Sequence, residues 1–268
     1  SVTYIGIGAF YLCTNLKSIA IPDSVTKIEN ITFTGCSSLT SISIPESVTY
    51  IGLNAFKDCT SLTSIYIPDS VTLTGLSGTF SGCTSLTNVK LPDVIYIINT
   101  NTFAGCSSLL NIIIPDSVTA IKECAFEGCK SLTNIAIPES VTKIGTWAFK
   151  DCTSLKSIAI NNPDCEISND KDTIPETAVI CGYENSTAQT YAEKYNRNFV
   201  SLGEYTETLI GDISGNGEID LYDAIEIAKA IMGLRTFTAE EMIIADFNMD
   251  GAVDLYDAIE IARTLLPK

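Results

Sequence analysis

The chain has 268 residues, 46% of them hydrophobic and 18% charged, which makes it globular rather than disordered and long enough for one large or two smaller domains. Lysine and arginine total 16 against 32 aspartates and glutamates, a net charge of −16 that argues against nucleic acid or an anionic membrane as partner, since phosphate contacts need clustered cations. Histidine is absent, which removes Ser-His-Asp and Cys-His catalysis and most zinc enzymes, and no run of eighteen apolar residues spans a bilayer. Residues 211–268 hold 12 acids and 4 bases, and the 210 residues before them hold 20 and 12. The same net charge of −8 on such different lengths marks two modules.

A repeat fills residues 1–160. Prolines 22, 45, 68, 92, 115 and 138 recur every 23 or 24 residues, and each is followed by Asp or Glu. Phenylalanines 10, 33, 56, 80, 103, 126 and 149 keep the same step, each three residues before a cysteine and six before a leucine. The leucine opens an alternating stretch such as Leu62-Thr63-Ser64-Ile65-Tyr66-Ile67, a period-two pattern that turns Ile65 and Ile67 inward from a short strand. Proline ends the strand because it has no N–H for a ladder. Val25-x-x-Ile28 and its copies supply a second inward stretch, and Ala-Phe or Thr-Phe the third side of a coil. One turn cannot bury its own apolar face, so turns stack at about 4.8 Å, and seven of them make a rod roughly 35 Å long.

The consensus Pro45-Glu-Ser-Val48-Thr-x-Ile51-Gly52-x-x-Ala55-Phe56-x-x-Cys59-x-Ser61-Leu62-x-x-Ile65-x-Ile67 resembles the bacterial BspA-like leucine-rich repeats, a class found in surface proteins. Two turns depart from it: the third has an extra residue near Thr74-Gly75, and the fourth reads Asp93-Val94-Ile95 where Ser-Val-Thr recurs. Ser1 stands inside a repeat, so the sequence reads as a trimmed piece with no leader to interpret. Of ten cysteines, seven hold one equivalent position per turn. Stacked side chains there run parallel rather than facing each other as a bridge requires, which predicts buried free thiols acting as small hydrophobes. Cys124, Cys165 and Cys181 lie off that ladder.

Residues 161–203 break the repeat. Ile180–Tyr183 reads as a strand, Asn185-Ser-Thr-Ala188 as the capped start of a helix carrying Tyr191 and Tyr195, and Asn198–Leu202 as a last strand. The segment is expected to cover the open edge of the final turn. Two outward rows of the rod, Ala20, Ser43, Tyr66, Lys90, Ile113, Ala136, Ala159 and Tyr4, Lys27, Tyr50, Leu73, Ile97, Ala120, Lys143, gather no paired carboxylates, nucleophile with base, or metal ligands. They offer instead a protein- or glycan-docking face through Tyr50 and Tyr66.

After a linker at 204–210, residues 211–268 contain one motif twice at a 34-residue offset. Side-chain oxygens fall at loop positions one, three, five, nine and twelve: Asp212, Ser214, Asn216, Asp220 and Asp223, then Asp246, Asn248, Asp250, Asp254 and Asp257. Gly217 and Gly251 permit the sharp turn at position six, and Glu218 and Ala252 offer main-chain carbonyls at position seven. This is the ligand spacing of an EF-hand calcium loop, where a hard cation takes six to eight oxygens, and it predicts two calcium ions. Carboxylates at ligand positions number three in the first loop and four in the second, so the second site is expected to bind more tightly. Between the loops, Thr238-Ala-Glu-Glu241 is a capping box with Phe237 and Met242 as its staple.

A helix follows each loop. Leu221–Met232 has an apolar stripe of Ala224, Ile227 and Ile231 and another of Leu221, Ile225, Ala228 and Met232; Leu255, Ile259, Ala262 and Leu266 lie beside Ala258, Ile261 and Leu265 in its twin. A module of 58 residues covers one stripe per helix and leaves the other wet unless a partner docks. Aspartate rather than glutamate at position twelve, the absence of a helix before the first loop, and the identical stretches Asp220–Ala228 and Asp254–Ala262 make the tail resemble a type I dockerin.

That resemblance implies calcium-dependent docking onto a cohesin module of a scaffoldin. It implies contact positions at Leu221, Tyr222, Ala228 and Lys229 with copies at Leu255, Tyr256, Ala262 and Arg263, next to Ile225 and Ile259 on the same stripes. Leu-Tyr stands where many type I dockerins carry Ser-Thr, which implies a more apolar cohesin class. The expected fold is α+β: a leucine-rich-repeat β-solenoid with a C-terminal cap, then a small all-α duplicated calcium-loop module. The expected role is a non-catalytic, secreted component of a cellulosome-type complex engaged in polysaccharide degradation, monomeric apart from its cohesin. The alternative is an adhesin or inhibitor whose repeats bind a host, plant or protease target, with the dockerin as attachment.

Overall fold

The computed structural model describes residues 2–74, 76–205, 213, 219, 221–234, 236–237, 245, 253–254, 257–259 and 261. The chain divides into two compact units, Ser1–Glu204 and Tyr205–Lys268.

The first unit is a β-solenoid of about seven turns, with every named strand pairing parallel to its neighbours. The Ile-x-Ile stretches form one side. Ser64–Tyr66 pairs with Asn88–Lys90, and Asn134–Ile137, Ser157–Ile160, Val179–Gly182 and Phe199–Ser201 make a second group in that order. Between these groups Asn111–Ile114 keeps the alternating burial of a strand without joining either ladder. The Val-x-x-Ile stretches form the second side in two short stacks, Lys27–Ile28 with Tyr50–Ile51 and Leu73–Thr74, and Ile97–Ile98 through Ala120–Ile121 and Lys143–Ile144 to Glu166–Ile167.

On the third side each phenylalanine N–H donates to a carbonyl of the next turn, as from Phe33 to Ala55 at 2.7 Å and from Phe103 to Ala125 at 2.8 Å. The seven rings stack in a column with centroids 5.2 to 5.7 Å apart and planes within 14°. That spacing exceeds the ~4.8 Å of a strand ladder, as offset rings require more room than hydrogen-bonded main chain.

All ten cysteines are free thiols, and Cys36, Cys59, Cys83, Cys106, Cys129 and Cys152 are buried while Cys13 on the first turn is exposed. These six do more than fill space. Each Sγ donates to the phenylalanine carbonyl of the preceding turn, Cys36 to Phe10 at 3.1 Å and Cys106 to Phe80 at 3.2 Å among them. Each of these carbonyls also accepts the N–H of the cysteine three residues on in its own turn, as Phe80 does from Cys83, so the thiol is a second donor to an oxygen with two lone pairs. Serines 47, 70, 117 and 140 similarly donate to a carbonyl one turn back, each at 2.7 Å. In the divergent fourth turn Ile95 fills the buried valine slot and Val94 and Tyr96 point out, so Val94-Ile95-Tyr96 is the stretch in register with Ser-Val-Thr.

Two positions per turn adopt the left-handed backbone region. Ile31, Asn54, Asn101, Cys124 and Trp147 mark the first, with φ between 52° and 58°; Leu12, Asp58 and Asp151, with φ between 56° and 58°, share the second with glycines such as Gly105. Ile31 and Trp147 sit there at a steric cost that asparagine and glycine avoid. The repeat ends in a cap: α1 (Thr187–Lys194) starts at Ser186, whose side chain accepts the Gln189 N–H, and buries Ala188, Tyr191 and Ala192 over the final turn. The Tyr191 hydroxyl donates to the Asp170 carbonyl at 2.8 Å.

In the second unit α2 spans Leu221–Ile231. It closes on Gly233 at φ 71°, with the Gly233 N–H bound to Ala230 and the Leu234 N–H to Lys229, the paired bonds of a Schellman cap.

Candidate functional site

The strand side of the rod exposes the first outward row: Tyr66 is 51% and Ile113 86% accessible, and Lys90 is also exposed, while Ala20, Ser43, Ala136 and Ala159 keep the row low at both ends. The second row is less uniform. Tyr4, Lys27 and Lys143 are exposed, Tyr50 and Ile97 half-buried, and Ala120 buried. Tyr50 is held by a bond from its hydroxyl to Asn30 Oδ1 at 3.2 Å, so of the two expected tyrosines Tyr66 is the more available. Leu110 and Tyr96 add exposed apolar surface that the row spacing did not mark.

In the second unit α2 is sided. Ala224 and Ile227 pack with Ile213, Ala245, Ala258 and Ile261 into a small core, against which Ile219, Phe237 and Val253 lie half-buried. Three-residue spacing puts Ala224 and Ile227 on one face, and Ala258 and Ile261 are their repeats in the second motif. The neighbouring stripe is wet: Leu221 is 59% accessible, Ile225 41% and Met232 65%, with Ala228 half-buried. Ile231, expected on the inward stripe, is exposed instead, because the chain turns at Gly233 two residues later and the inward face of the helix ends with Ile227. Leu234, 73% accessible, extends the wet stripe beyond the helix. Gly233 just past the last periodic residue was the sequence signal for that turn.

Lys229 is exposed and pairs with Glu226 on the same helix, and Ile259 is half-buried. Tyr222 belongs to the helix, but its side chain lies outside the described residues, as do Leu255, Tyr256, Ala262 and Arg263.

Of the expected calcium ligands, Asp223 and Asp257 are fully buried and Asp254 is half-buried; the Asp254 N–H donates to Asp257 Oδ2 at 2.8 Å. Asp212, Ser214, Asn216, Glu218, Asp220, Asp246, Asn248, Asp250 and Ala252 lie outside the described residues, as do Thr238–Glu241 and Met242. Among the described residues no three acids, cysteines or histidines gather as a metal cluster. The two buried aspartates still fit a cation: a carboxylate withdrawn from water is stable only with hydrogen bonds and positive charge around it, and hard oxygen donors are what calcium takes.

The repeat rod and the small module with its duplicated acidic motif are both modules of the interaction type. The chain matches the BspA type leucine rich repeat region over residues 1–78 and 76–171, in six copies, and the Dockerin type I domain over residues 210–266. It therefore belongs to the BspA-type leucine-rich repeat family and carries a type I dockerin, a module that binds calcium and docks onto a cohesin.

A leucine-rich repeat protein from Bacteroides ovatus is 29% identical, with a TM-score of 0.52 over 66% of this chain and 58% of that one. Another from Eubacterium ventriosum is 24% identical, with a TM-score of 0.50 over 57% and 44%, and is alike in fold. The chain thus spans less than two thirds of the length of these neighbours. No curated protein matches it. Among the described residues no helix is long and apolar enough to cross a membrane.

Proposed function

We propose that this chain is a secreted, non-catalytic component of an extracellular cellulosome-type assembly, in which residues 211–268 plug into a scaffoldin cohesin and the rod of residues 1–160, capped by 161–203 and tethered through 204–210, presents a protein or glycan recognition surface. The observation that carries this reading is the sidedness of α2: Ala224 and Ile227 face the module's core while Leu221, Ile225 and Met232 are left to water. An exposed apolar stripe on a small module marks a docking face.

In this reading two calcium ions are held, one by Asp212, Ser214, Asn216, the Glu218 carbonyl, Asp220 and Asp223, the other by Asp246, Asn248, Asp250, the Ala252 carbonyl, Asp254 and Asp257. Bound calcium supplies the positive charge that lets these oxygens converge and fixes the loop from which each helix starts. Cohesin contact is made through Leu221, Tyr222, Ile225, Ala228 and Lys229, or through Leu255, Tyr256, Ile259, Ala262 and Arg263 after a half-turn rotation, since the two helices are near copies. The adhesin or inhibitor alternative shares the docking step and differs only in what the rod binds.

Calorimetry of calcium binding is expected to give two events, the tighter surviving in Asp212→Ala and lost in Asp246→Ala. Cohesin capture from the organism's own secreted proteins is expected to vanish with chelator. Capture that persists in EDTA overturns the docking mechanism, and loss of all capture in a Leu221→Ala, Ala228→Ser double variant overturns the two-way version.

A further inference from the structure

The two motifs of the second unit are copies only in part. Residues 220–228 recur without change at 254–262, but the six that follow, Lys229-Ala-Ile-Met-Gly-Leu234, become Arg263-Thr-Leu-Leu-Pro-Lys268. The last two places carry the difference. The end of α2 is fixed by Gly233 at φ 71°, whose N–H donates to the Ala230 carbonyl at 2.9 Å, while the Leu234 N–H donates to that of Lys229 at 2.8 Å. Proline has no N–H to give to such a cap, and its ring holds φ at about −65°. The exchange of Gly233 for Pro267 therefore removes from the second motif the device that sets an apolar residue past the helix, and a lysine takes the place of Leu234.

Leu234 is not packed away by its own helix. In a cap of this kind the residue two past the helix commonly packs on the last helical turn, here at Lys229, whose head pairs instead with Glu226. Leu234 stays 73% accessible, the most exposed large apolar side chain described in this unit, with Met232 next at 65%. These two continue the stripe of Leu221 and Ile225 past the stretch that the motifs share. The shared stretch differs too: Ile225 is exposed, whereas its copy Ile259 is half-buried. Apolar surface continuous with a docking stripe is covered when the partner seats.

We infer that docking is unequal between the two helices: the cohesin seats preferentially on α2, with Leu234 as an added apolar anchor, and the rotated mode on the second motif is the weaker. This rests on the reading that the module docks onto a cohesin through one stripe or the other, and it names the stripe that dominates and the residue that decides it.

The test uses the full chain in calcium, with the cohesin module identified among the captured secreted proteins, purified, as the probe. Leu221→Ala with Ala228→Ser is expected to lower affinity about tenfold or more and leave a weaker mode behind. The matching pair Leu255→Ala with Ala262→Ser is expected to change it less than about twofold. Leu234→Ser is expected to weaken binding about tenfold in the parent chain and in the Leu255/Ala262 pair, and to have no effect in the Leu221/Ala228 pair, where only the rotated mode is left. Weakening of all three backgrounds by Leu234→Ser means a general loss of the module's fold and overturns the inference. Equal losses in the two pairs, or unchanged affinity in Leu234→Ser, overturn it and leave docking itself standing. Self-association that Leu234→Ser abolishes, with cohesin affinity unchanged, assigns the anchor to a second copy of the chain and overturns it as well. Absence of any cohesin captured in calcium overturns the docking reading and this inference with it.

Discussion

The rod and the dockerin reach stability by different routes. In the rod one buried core runs without a break from Ile21 to Ala192, because every turn hands its phenylalanine, cysteine, leucine and isoleucines to its neighbours. In the second unit the buried core among the described residues is Ile213, Ala224, Ile227, Ala245, Ala258 and Ile261, three of them alanines. Burial scales with apolar area at about 25 cal/mol per Å², so alanines contribute little, and the module is expected to depend on a cation closing its loops. The rod accumulates stability by repetition; the dockerin is expected to hold it conditionally. The difference suits a permanent display surface joined to a plug that responds to calcium.

The largest expected effect that sharpens this contrast is alkaline. Burial pushes Cys59 and Cys106 up to about 12 and lifts Cys83 well above the ordinary thiol value of 9.0, whereas residues 205–268 contain no cysteine. The unfolded chain loses these protons near pH 9, whereas the folded rod keeps those of Cys59 and Cys106 to about 12 and that of Cys83 well above 9.0, so the native state binds more protons across that window. The stabilisation is complete below pH 9 and lost as pH rises, on the order of 1 kcal/mol per thiol for each unit. Denaturation of the rod followed at pH 8 and pH 10 is expected to lose several kcal/mol, and an unchanged midpoint would remove the thiol ladder from the account.

Next in size, Phe103→Ala opens the middle of the ring column and is expected to cost about 3–5 kcal/mol of rod stability. The calcium titration of the dockerin should not move, and a coupled shift in both units would break the comparison. Smallest is Cys124→Asn. Cys124 occupies a left-handed position that Asn54 and Asn101 fill elsewhere, so the change is expected to raise stability by about 1 kcal/mol in thermal melts. A fall in melting temperature would mean that the Cys124 side chain matters more than its backbone.

Much of this was legible from the sequence, and the particular residues show why. The Phe, Cys, Leu and Pro spacings identify buried positions because each turn repeats the same steric problem, and the apolar steps in Leu221–Met232 separate its two faces for the same periodic reason. The unexpected features depend on backbone geometry that side-chain type opposes or does not encode. Ile31 and Trp147 are poor residues for a left-handed position, so nothing in their identity announces it. Asn111–Ile114 has the pattern of a strand and lacks the ladder. The cysteines read as small hydrophobes because spacing does not reveal a carbonyl within reach of the thiol one turn away. Ile231 leaves the inward stripe because the cap at Gly233 interrupts the periodicity that placed it there.

The ring column and the thiol bonds link only consecutive turns, each to the one beside it. A whole 23-residue unit can then be removed, or another inserted, with the flanking units closing up as they were. Such a change would alter the reach of the rod by one ring spacing, 5.2 to 5.7 Å, and leave both ends intact. Length is therefore a quantity this architecture adjusts in discrete increments, independently of what either terminus grips.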